Sequence, residues 1–191
     1  IKSGNETVSK AYKTTVLAAS LTPDYKYDFE TVNNKSVTSS GKSVANATLM
    51  GNATVSKDAW YGNILNIKNK KQEESYLSLP ADLFKNIDKS GFTVGMWVKT
   101  GSQTNDETAL FEAKSTTSRN NYPYTSLHSS VYADFVSLDG SSKGSYMVSL
   151  ITGLWSHVVY TVSEDGIKTY INGDLITNQE ADLSNALSDN K

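Results

Sequence analysis

The chain has 191 residues, of which 18 are basic and 20 acidic, so its formal net charge is −2 at pH 7, and it contains no cysteine. The missing cysteine excludes disulfides, thiolate nucleophiles and cysteine-based metal sites. The balanced charge, with Arg119 as the single arginine, gives no clustered basic face for nucleic acid. No run of 18 apolar residues occurs, so no segment is predicted to insert into a membrane.

The first 24 residues differ from the rest of the chain. They hold one short alternating segment, residues 12–19, followed by Pro23, which interrupts the pattern. We expect residues 1–24 to be a linker or the tail of a preceding module, and residues 25–191 to form one domain. The chain begins with Ile1 and is rich in lysine, asparagine and tyrosine. We therefore interpret it as a segment of a secreted or cell-surface, multi-module bacterial protein.

From residue 25 onward, short apolar segments alternate with clusters of glycine, asparagine, serine and aspartate at intervals of roughly ten residues, the spacing of an antiparallel β-sandwich. In residues 91–99 alternate side chains share a face, and one face is predicted to enter the core. Its members are Phe92, Val94, Met96 and Val98. Further strands are predicted over residues 108–113, 131–138 and 145–151.

The clearest strand pattern lies in residues 154–175. Residues 154–162 alternate between two faces, with Trp155 and His157 on one of them, which is the period of a half-buried strand. Turn residues follow at 163–166. The next alternating run ends at Asn172-Gly173, a dipeptide that accepts the positive φ angles of a type I′ turn. Two successive hairpins are therefore predicted.

Several strings along the chain resemble those of one family and occur in its order. They are residues 27–30, 63–67, 75–80 and 91–99, and a Trp-x-His-Val string at 155–158 followed by Tyr-Ile-Asn-Gly at 170–173. On these strings the chain resembles the laminin-G-like domains of the concanavalin A-like lectin and glucanase superfamily. The resemblance implies an antiparallel jelly-roll β-sandwich. It also implies that residues 27–30 are the opening strand, that residues 63–67 pair with 75–80, and that Trp97 and Trp155 are packing residues.

The C-terminus departs from that family pattern. The resemblance implies a glycine-containing strand and a last, aspartate-rich strand after residue 175, the last one packing beside the opening strand. Residues 183–191 do not carry this pattern. Because an open sheet edge exposes unpaired backbone groups, we expect the sandwich to lack its final strands in this chain. A second polypeptide fragment or a swapped segment would complete it.

Catalytic residues are not predicted. The superfamily's glucanases carry Glu-x-Asp-x-x-Glu, which places acid and nucleophile on one face. The nearest string here, residues 180–185, lacks the second glutamate. Glu164 and Asp165 are adjacent carboxylates in a predicted turn, where they face water. His128 and His157 are the two histidines, too few for a histidine-rich metal site, and the resemblance implies that His157 packs and hydrogen-bonds.

A single structural calcium ion is implied by the resemblance. Glu30 occupies the matching point of the opening strand and is the candidate ligand. Calcium takes six to eight oxygen ligands. The family's aspartate-rich last strand is not evident, so Glu30 would be part of an incomplete site within this chain.

Two clusters suit sugar binding, because aromatic faces stack on sugar rings while amides and guanidinium groups meet the hydroxyls. The first lies in the polar segment 114–130, predicted to be a long loop, and the second lies between Asp58 and Gly62. The candidate contacts are Arg119, Asn120, Tyr122, Tyr124 and His128 in the first, and Trp60 and Tyr61 in the second. The alternative for either cluster is that its rings cover the ends of the sandwich.

The sequence thus favours a non-catalytic, lectin-like carbohydrate-binding module of an extracellular protein, accessory to glycan degradation. Its expected partner is an oligo- or polysaccharide. Because one fold hosts many functions, two alternatives stay open. One is a structural or protein-binding spacer module of a surface adhesin, and the other is a glycoside hydrolase domain.

Overall fold

A computed structural model describes residues 22–68, 74–83, 91–101, 109–114, 124–128, 132–136, 142–146 and 150–180. Residue 114 and the three strands from 124 to 146 are described by their backbone alone. Within these ranges the chain forms 14 strands, all paired antiparallel, and no helix long or apolar enough to cross a membrane. The predicted all-β antiparallel fold class is confirmed.

The chain divides into two compact units between Pro80 and Ala81. We call the described residues 22–80 the N-terminal unit and 81–180 the C-terminal unit. The predicted linker at residues 1–24 falls almost entirely outside the described residues, so it stays a prediction.

The N-terminal unit contains one four-stranded sheet and one separate hairpin. The sheet has the order β1-β2-β3-β6, formed by β1 (Val32–Asn33), β2 (Ser36–Thr38), β3 (Asn46–Met50) and β6 (Tyr76–Ser78). The hairpin joins β4 (Thr54–Asp58) to β5 (Gly62–Asn66). In β3 the inward residues Ala47 and Leu49 are buried and their neighbours exposed, as a sheet with one covered face requires.

The core of this unit is small. Val37, Ala47, Leu49 and Ala53 are buried together. Partly buried side chains pack around them, among them Tyr27, Phe29, Val55 and Leu65. The hairpin therefore contributes one face to the same core as the four-stranded sheet.

Two predictions for this unit are wrong. Residues 27–30 do not form a strand, because Phe29 has a left-handed φ of 63° and the Asp28 carboxylate accepts the N–H of Glu30 at 3.2 Å, which bends the chain. The segments at 63–67 and 75–80 do form strands, but not with each other. Instead β5 pairs with β4, and β6 pairs with β3.

The C-terminal unit contains two four-stranded sheets. The first has the order β14-β13-β12-β7, with β7 (Phe92–Lys99), β12 (Trp155–Ser163), β13 (Gly166–Ile171) and β14 (Asp174–Glu180). The second has the order β11-β10-β9-β8, with β8 (Ala109–Lys114), β9 (Tyr124–His128), β10 (Tyr132–Val136) and β11 (Ser142–Tyr146). The prediction that 114–130 is a loop is therefore wrong where β9 crosses it.

The pairing of β7 with β12 confirms the predicted alternation. The four residues predicted to face the core lie on the more buried face of β7, and they are Phe92, Val94, Met96 and Val98. They stand opposite buried residues of β12, such as Tyr160 and Val158. Trp97 is on the other face and is 56% exposed, so its predicted role as a packing residue is wrong.

The two predicted hairpins after residue 154 are confirmed. The strands β12 and β13 pair as far as Ser163 and Gly166. Glu164 and Asp165 are exposed in the turn that joins the two strands. The next turn has φ angles of 53° at Asn172 and 92° at Gly173, as a type I′ turn requires. Residues 181–191 lie outside the described residues, so the expected missing strands and the second polypeptide stay predictions.

Candidate functional site

The tip of the β4–β5 hairpin presents two aromatic rings. Asp58 stands opposite Gly62, which leaves a three-residue loop closed by a glycine with a φ of 75°. One carboxylate oxygen of Asp58 accepts the backbone N–H groups of Trp60 at 2.9 Å and Tyr61 at 3.1 Å. Trp60 is 90% exposed and Tyr61 is 45% exposed. The turn therefore fixes the backbone beneath two rings that face water.

A cleft of about 420 Å³ lies in the same unit. Its polar lining comes from Glu30, Asn34, Lys35 and Asn63, and its apolar lining includes Phe29 and Val55. Ligand pockets typically combine apolar walls with a few placed polar groups, at volumes of roughly 300–1,000 Å³. The cleft falls within this size range, but it is a shallow, solvent-open depression whose lining is about half polar.

Asn63 joins the hairpin to the edge of the cleft. Its side-chain amide donates to the carbonyl of Phe29 at 3.2 Å and to the carboxylate of Glu30 at 3.1 Å. A Cβ added at Gly62 would lie 3.4 Å from the other carboxylate oxygen of Glu30. Glu30, which lines the cleft, therefore lies against Gly62 at the base of the hairpin tip.

One strained backbone position, Phe29, lies at this cleft. Phe29 and Asn34 both line it, and both adopt left-handed φ angles, 63° and 54°. Asparagine visits that region readily, whereas a bulky residue such as phenylalanine is a clear outlier there. Such strain persists only where the surroundings hold it and is common at functional sites.

A polar network anchors the bent segment that carries Phe29 and Glu30. The Ser40 hydroxyl donates to Asp28 at 2.6 Å, and the Lys26 ammonium lies 3.4 Å from the same carboxylate. The Ser40 hydrogen bond, helped by the N–H of Glu30 and by Lys26, lowers the pKa of Asp28 despite partial burial. An ionised Asp28 therefore stabilises the segment that forms one wall of the cleft.

The sequence-predicted site residues divide into two groups. Trp60 and Tyr61 lie on the hairpin tip, and Glu30 lies beside Gly62 at its base and lines the cleft, which the two rings do not line. Arg119, Asn120 and Tyr122 lie outside the described residues, while Tyr124 and His128 are the first and last residues of β9. Sequence analysis missed Asn34, Lys35 and Asn63.

One of the missed residues had a detectable signal. In β5, Asn63 shares a strand face with Leu65, which packs on the core. A polar residue on the core-facing side of a strand is unusual unless it hydrogen-bonds. The alternation therefore could have marked Asn63 as a residue with a polar partner at the end of the strand.

A metal centre is not apparent in the part of the chain that the structure describes, where no three histidines, aspartates or glutamates form a group that could hold an ion. Glu30 could supply carboxylate oxygens, one of which accepts the Asn63 amide. Calcium at Glu30 stays a prediction.

In the described residues the fold is all-β, with antiparallel sheets. Residues 71–190, more than half of the chain, match a laminin-G-type family model described as the concanavalin A-like lectin/glucanases superfamily. The chain therefore belongs to that superfamily, as its sequence strings indicated. The hairpin tip and the cleft precede the matched residues. No curated protein matches the chain.

Three solved structures share the fold at low sequence identity. HCR/D-Sa-GBL1/C has a TM-score of 0.62 at 12% identity, with 85% of this chain and 40% of that chain covered. The binding domain of botulinum neurotoxin DC, in complex with rat synaptotagmin II, has a TM-score of 0.61 at 13% identity, with the same coverages. A botulinum neurotoxin type C structure, described by its interaction with two ganglioside molecules, has a TM-score of 0.58 at 14% identity, covering 84% and 39%. This chain thus spans about 40% of each.

Proposed function

We propose that this chain is a non-catalytic carbohydrate-binding module of a secreted or cell-surface protein, accessory to glycan degradation. In this proposal a sugar ring stacks on Trp60 and Tyr61, while Glu30, Asn63 and Lys35 meet hydroxyl groups in the cleft. The observation that carries it is the pair of exposed rings on a hydrogen-bonded hairpin tip, whose base at Gly62 lies against Glu30 of a polar cleft.

The physical argument is one of chemistry and preorganisation. A sugar ring has an apolar C–H face and a rim of hydroxyls, so it needs a flat aromatic surface next to hydrogen-bonding groups. Asp58 already fixes the backbone that carries both rings. Less conformational freedom is then lost when a ligand binds, which favours affinity.

The comparisons support the proposal at the level of the fold. The superfamily's description names lectins and glucanases. One similar structure is described by an interaction with two ganglioside molecules, and another is in complex with rat synaptotagmin II. We propose only a glycan as the ligand of this chain, because its exposed rings and polar cleft suit a sugar. An extracellular location follows from the proposed ligand and is part of the proposal.

The test is a glycan-array screen of the parent chain followed by titration of a bound glycan with Trp60→Ala and Tyr61→Ala. We expect each variant to lose affinity about tenfold or more, which equals 1.4 kcal/mol. Tyr76→Ala is the matched control, since Tyr76 is a tyrosine of the same unit with a similar exposure, 43% against 45% for Tyr61, and does not line the cleft.

Equal affinity in the parent, Trp60→Ala and Tyr61→Ala would place the site elsewhere. A parent that binds no glycan would favour the spacer alternative, and hydrolysis of the bound glycan would favour the hydrolase alternative. The calcium prediction is tested separately. Calcium should raise the melting temperature of the parent but not of Glu30→Gln, and an equal effect on both would remove Glu30 as a ligand.

A further inference from the structure

Gly95 lies in the middle of β7 without a conformational reason to be glycine. Its φ is not in the left-handed region, and a Cβ added to it would meet only the His157 ring nitrogen Nε2 and a methyl group of Val159, both at 3.9 Å, an ordinary contact distance. Glycine weakens a strand interior, and there it often marks a place where a ligand or another backbone approaches closely. The feature therefore points to something that occupies the space above Gly95.

Side chains of two strands border this space on three sides, because within the described residues β7 is the edge strand of the sheet and pairs only with β12. Trp97 and His157 stand directly opposite each other on the same face of the sheet, with ring centroids 5.1 Å apart and planes tilted by 36°. Val159 pairs with Gly95 and forms the floor. Thr93 and Thr161 pair at the far side. We call this depression the Gly95 trough, bounded by Thr93, Gly95, Trp97, His157, Val159 and Thr161.

The trough combines apolar and polar surfaces on the scale of one ring. The indole of Trp97 is 56% exposed, and Val159 adds a methyl group to the floor. Nε2 of His157 faces the space above Gly95, and within the described residues neither ring nitrogen of His157 has a hydrogen-bond partner. A neutral imidazole offers one donor and one acceptor, and so can bond either way to a hydroxyl.

We propose that the Gly95 trough is a second glycan-contact site, in which one sugar ring lies over Gly95 against Trp97 and a hydroxyl bonds to His157 Nε2. The ligand class rests on the proposed function, whereas the existence of the site rests on Gly95 and its neighbours. The exposed Trp97 indole beside His157 Nε2 suits one sugar ring, which has an apolar C–H face and a rim of hydroxyls.

The test fills the trough. Gly95→Val should fold well, because its Cβ has room and a β-branched residue suits a strand. We expect it to lose affinity about tenfold or more for hexasaccharides of glucose, xylose, galactose or arabinose that the parent binds. Gly101→Val is the matched control, since Gly101 is also a glycine with open space around its Cβ position but lies beyond the strand.

A second measurement detects ligand contact at the trough residues themselves. In nuclear magnetic resonance titrations of the parent with the same hexasaccharides, the His157 ring and Trp97 indole signals should shift. Gly95→Val should abolish these shifts, and Gly101→Val should retain them. If Gly95→Val melts below the parent, Gly95→Ala, which adds only the Cβ, replaces it and should still weaken the shifts.

The outcomes separate this inference from the proposed function. Loss of binding in Trp60→Ala with unchanged affinity and shifts in Gly95→Val would overturn the trough and leave the hairpin-tip site standing. The reverse result would support the trough and overturn the hairpin-tip site. No shift of the His157 signals by any of the four hexasaccharides would overturn the trough as a glycan site. A parent dimer that Trp97→Ala converts to a monomer would assign the face to a second copy of the chain and also overturn it.

Discussion

The hairpin tip around Trp60 and the sheet face around Trp97 expose aromatic rings by different structural means. At the tip, a carboxylate holds a three-residue turn and both rings project from it. On the sheet, strand alternation turns Trp97 outward while its neighbours Met96 and Val98 turn inward. Exposed aromatic residues can therefore be positioned either by the hydrogen bonds of a turn or by the alternation of side chains along a strand.

The largest expected effect is on the free energy of unfolding, which should fall far more when a buried aromatic residue is removed than when an exposed one is removed. Tyr160 has no exposed surface and its ring lies 6.2 Å from that of Phe92, edge to face. Tyr160→Ala should lower the free energy of unfolding by about 3–5 kcal/mol, because a cavity replaces a large ring. Trp60→Ala should change it by no more than about 0.5 kcal/mol, as is usual on surfaces. Chemical denaturation followed by circular dichroism measures both, and similar losses would show that Trp60 also supports the fold.

A smaller effect tests the turn chemistry at the tip. Asp58→Ala removes the acceptor for the backbone N–H groups of Trp60 and Tyr61. We expect a loss of about 1 kcal/mol in the free energy of unfolding, together with weaker glycan binding, because the rings lose their fixed backbone. Asp58→Asn keeps a side-chain oxygen acceptor and should retain most of both. If Asp58→Ala binds glycan as tightly as the parent, the tip does not need to be preorganised.

The smallest effect concerns the segment that carries Glu30. The pKa of Asp28 is lowered from 3.8, so Asp28 stabilises the fold fully above that pH, and the contribution is lost as the pH falls through its folded-state pKa. Asp28→Asn should therefore reduce stability at pH 7 by less than about 1 kcal/mol, since the group is partly exposed. Thermal unfolding of parent and variant should converge below pH 3.8. A gap that stays constant with pH would assign the effect to the Ser40 hydrogen bond rather than to the charge.

These two regions also differ in how well sequence predicts them. The strands around Trp97 were predictable because alternation, the Asn172-Gly173 turn and chain adjacency are all local signals. The partner of β6 was not, because β6 pairs with the distant strand β3. The partner of β5 is its chain neighbour β4, and the resemblance to the family misassigned it. The strand β9 was hidden in a polar segment that contains Pro123 and two asparagines, Asn120 and Asn121.

The candidate site shows the same limit. Trp60 and Tyr61 were recognisable because two aromatic residues stand between turn residues, Asp58 and Gly62. The cleft was not recognisable, because it depends on the left-handed backbone of Phe29 and on the contact of Asn63 with Glu30, 33 residues away in the chain. No local pattern specifies a contact over that separation. The resemblance implied that Trp97 is a packing residue. The alternation along the strand instead places Trp97 on the exposed face, and Met96 and Val98 on the other face.

The most direct test of the central claim is a crystal structure of the chain with a glycan selected on the array. We expect a sugar ring stacked on the Trp60 indole, with a hydroxyl within hydrogen-bonding distance of Asn63 or Glu30. A glycan bound away from the hairpin tip and the cleft, with Trp60 still facing solvent, would contradict it.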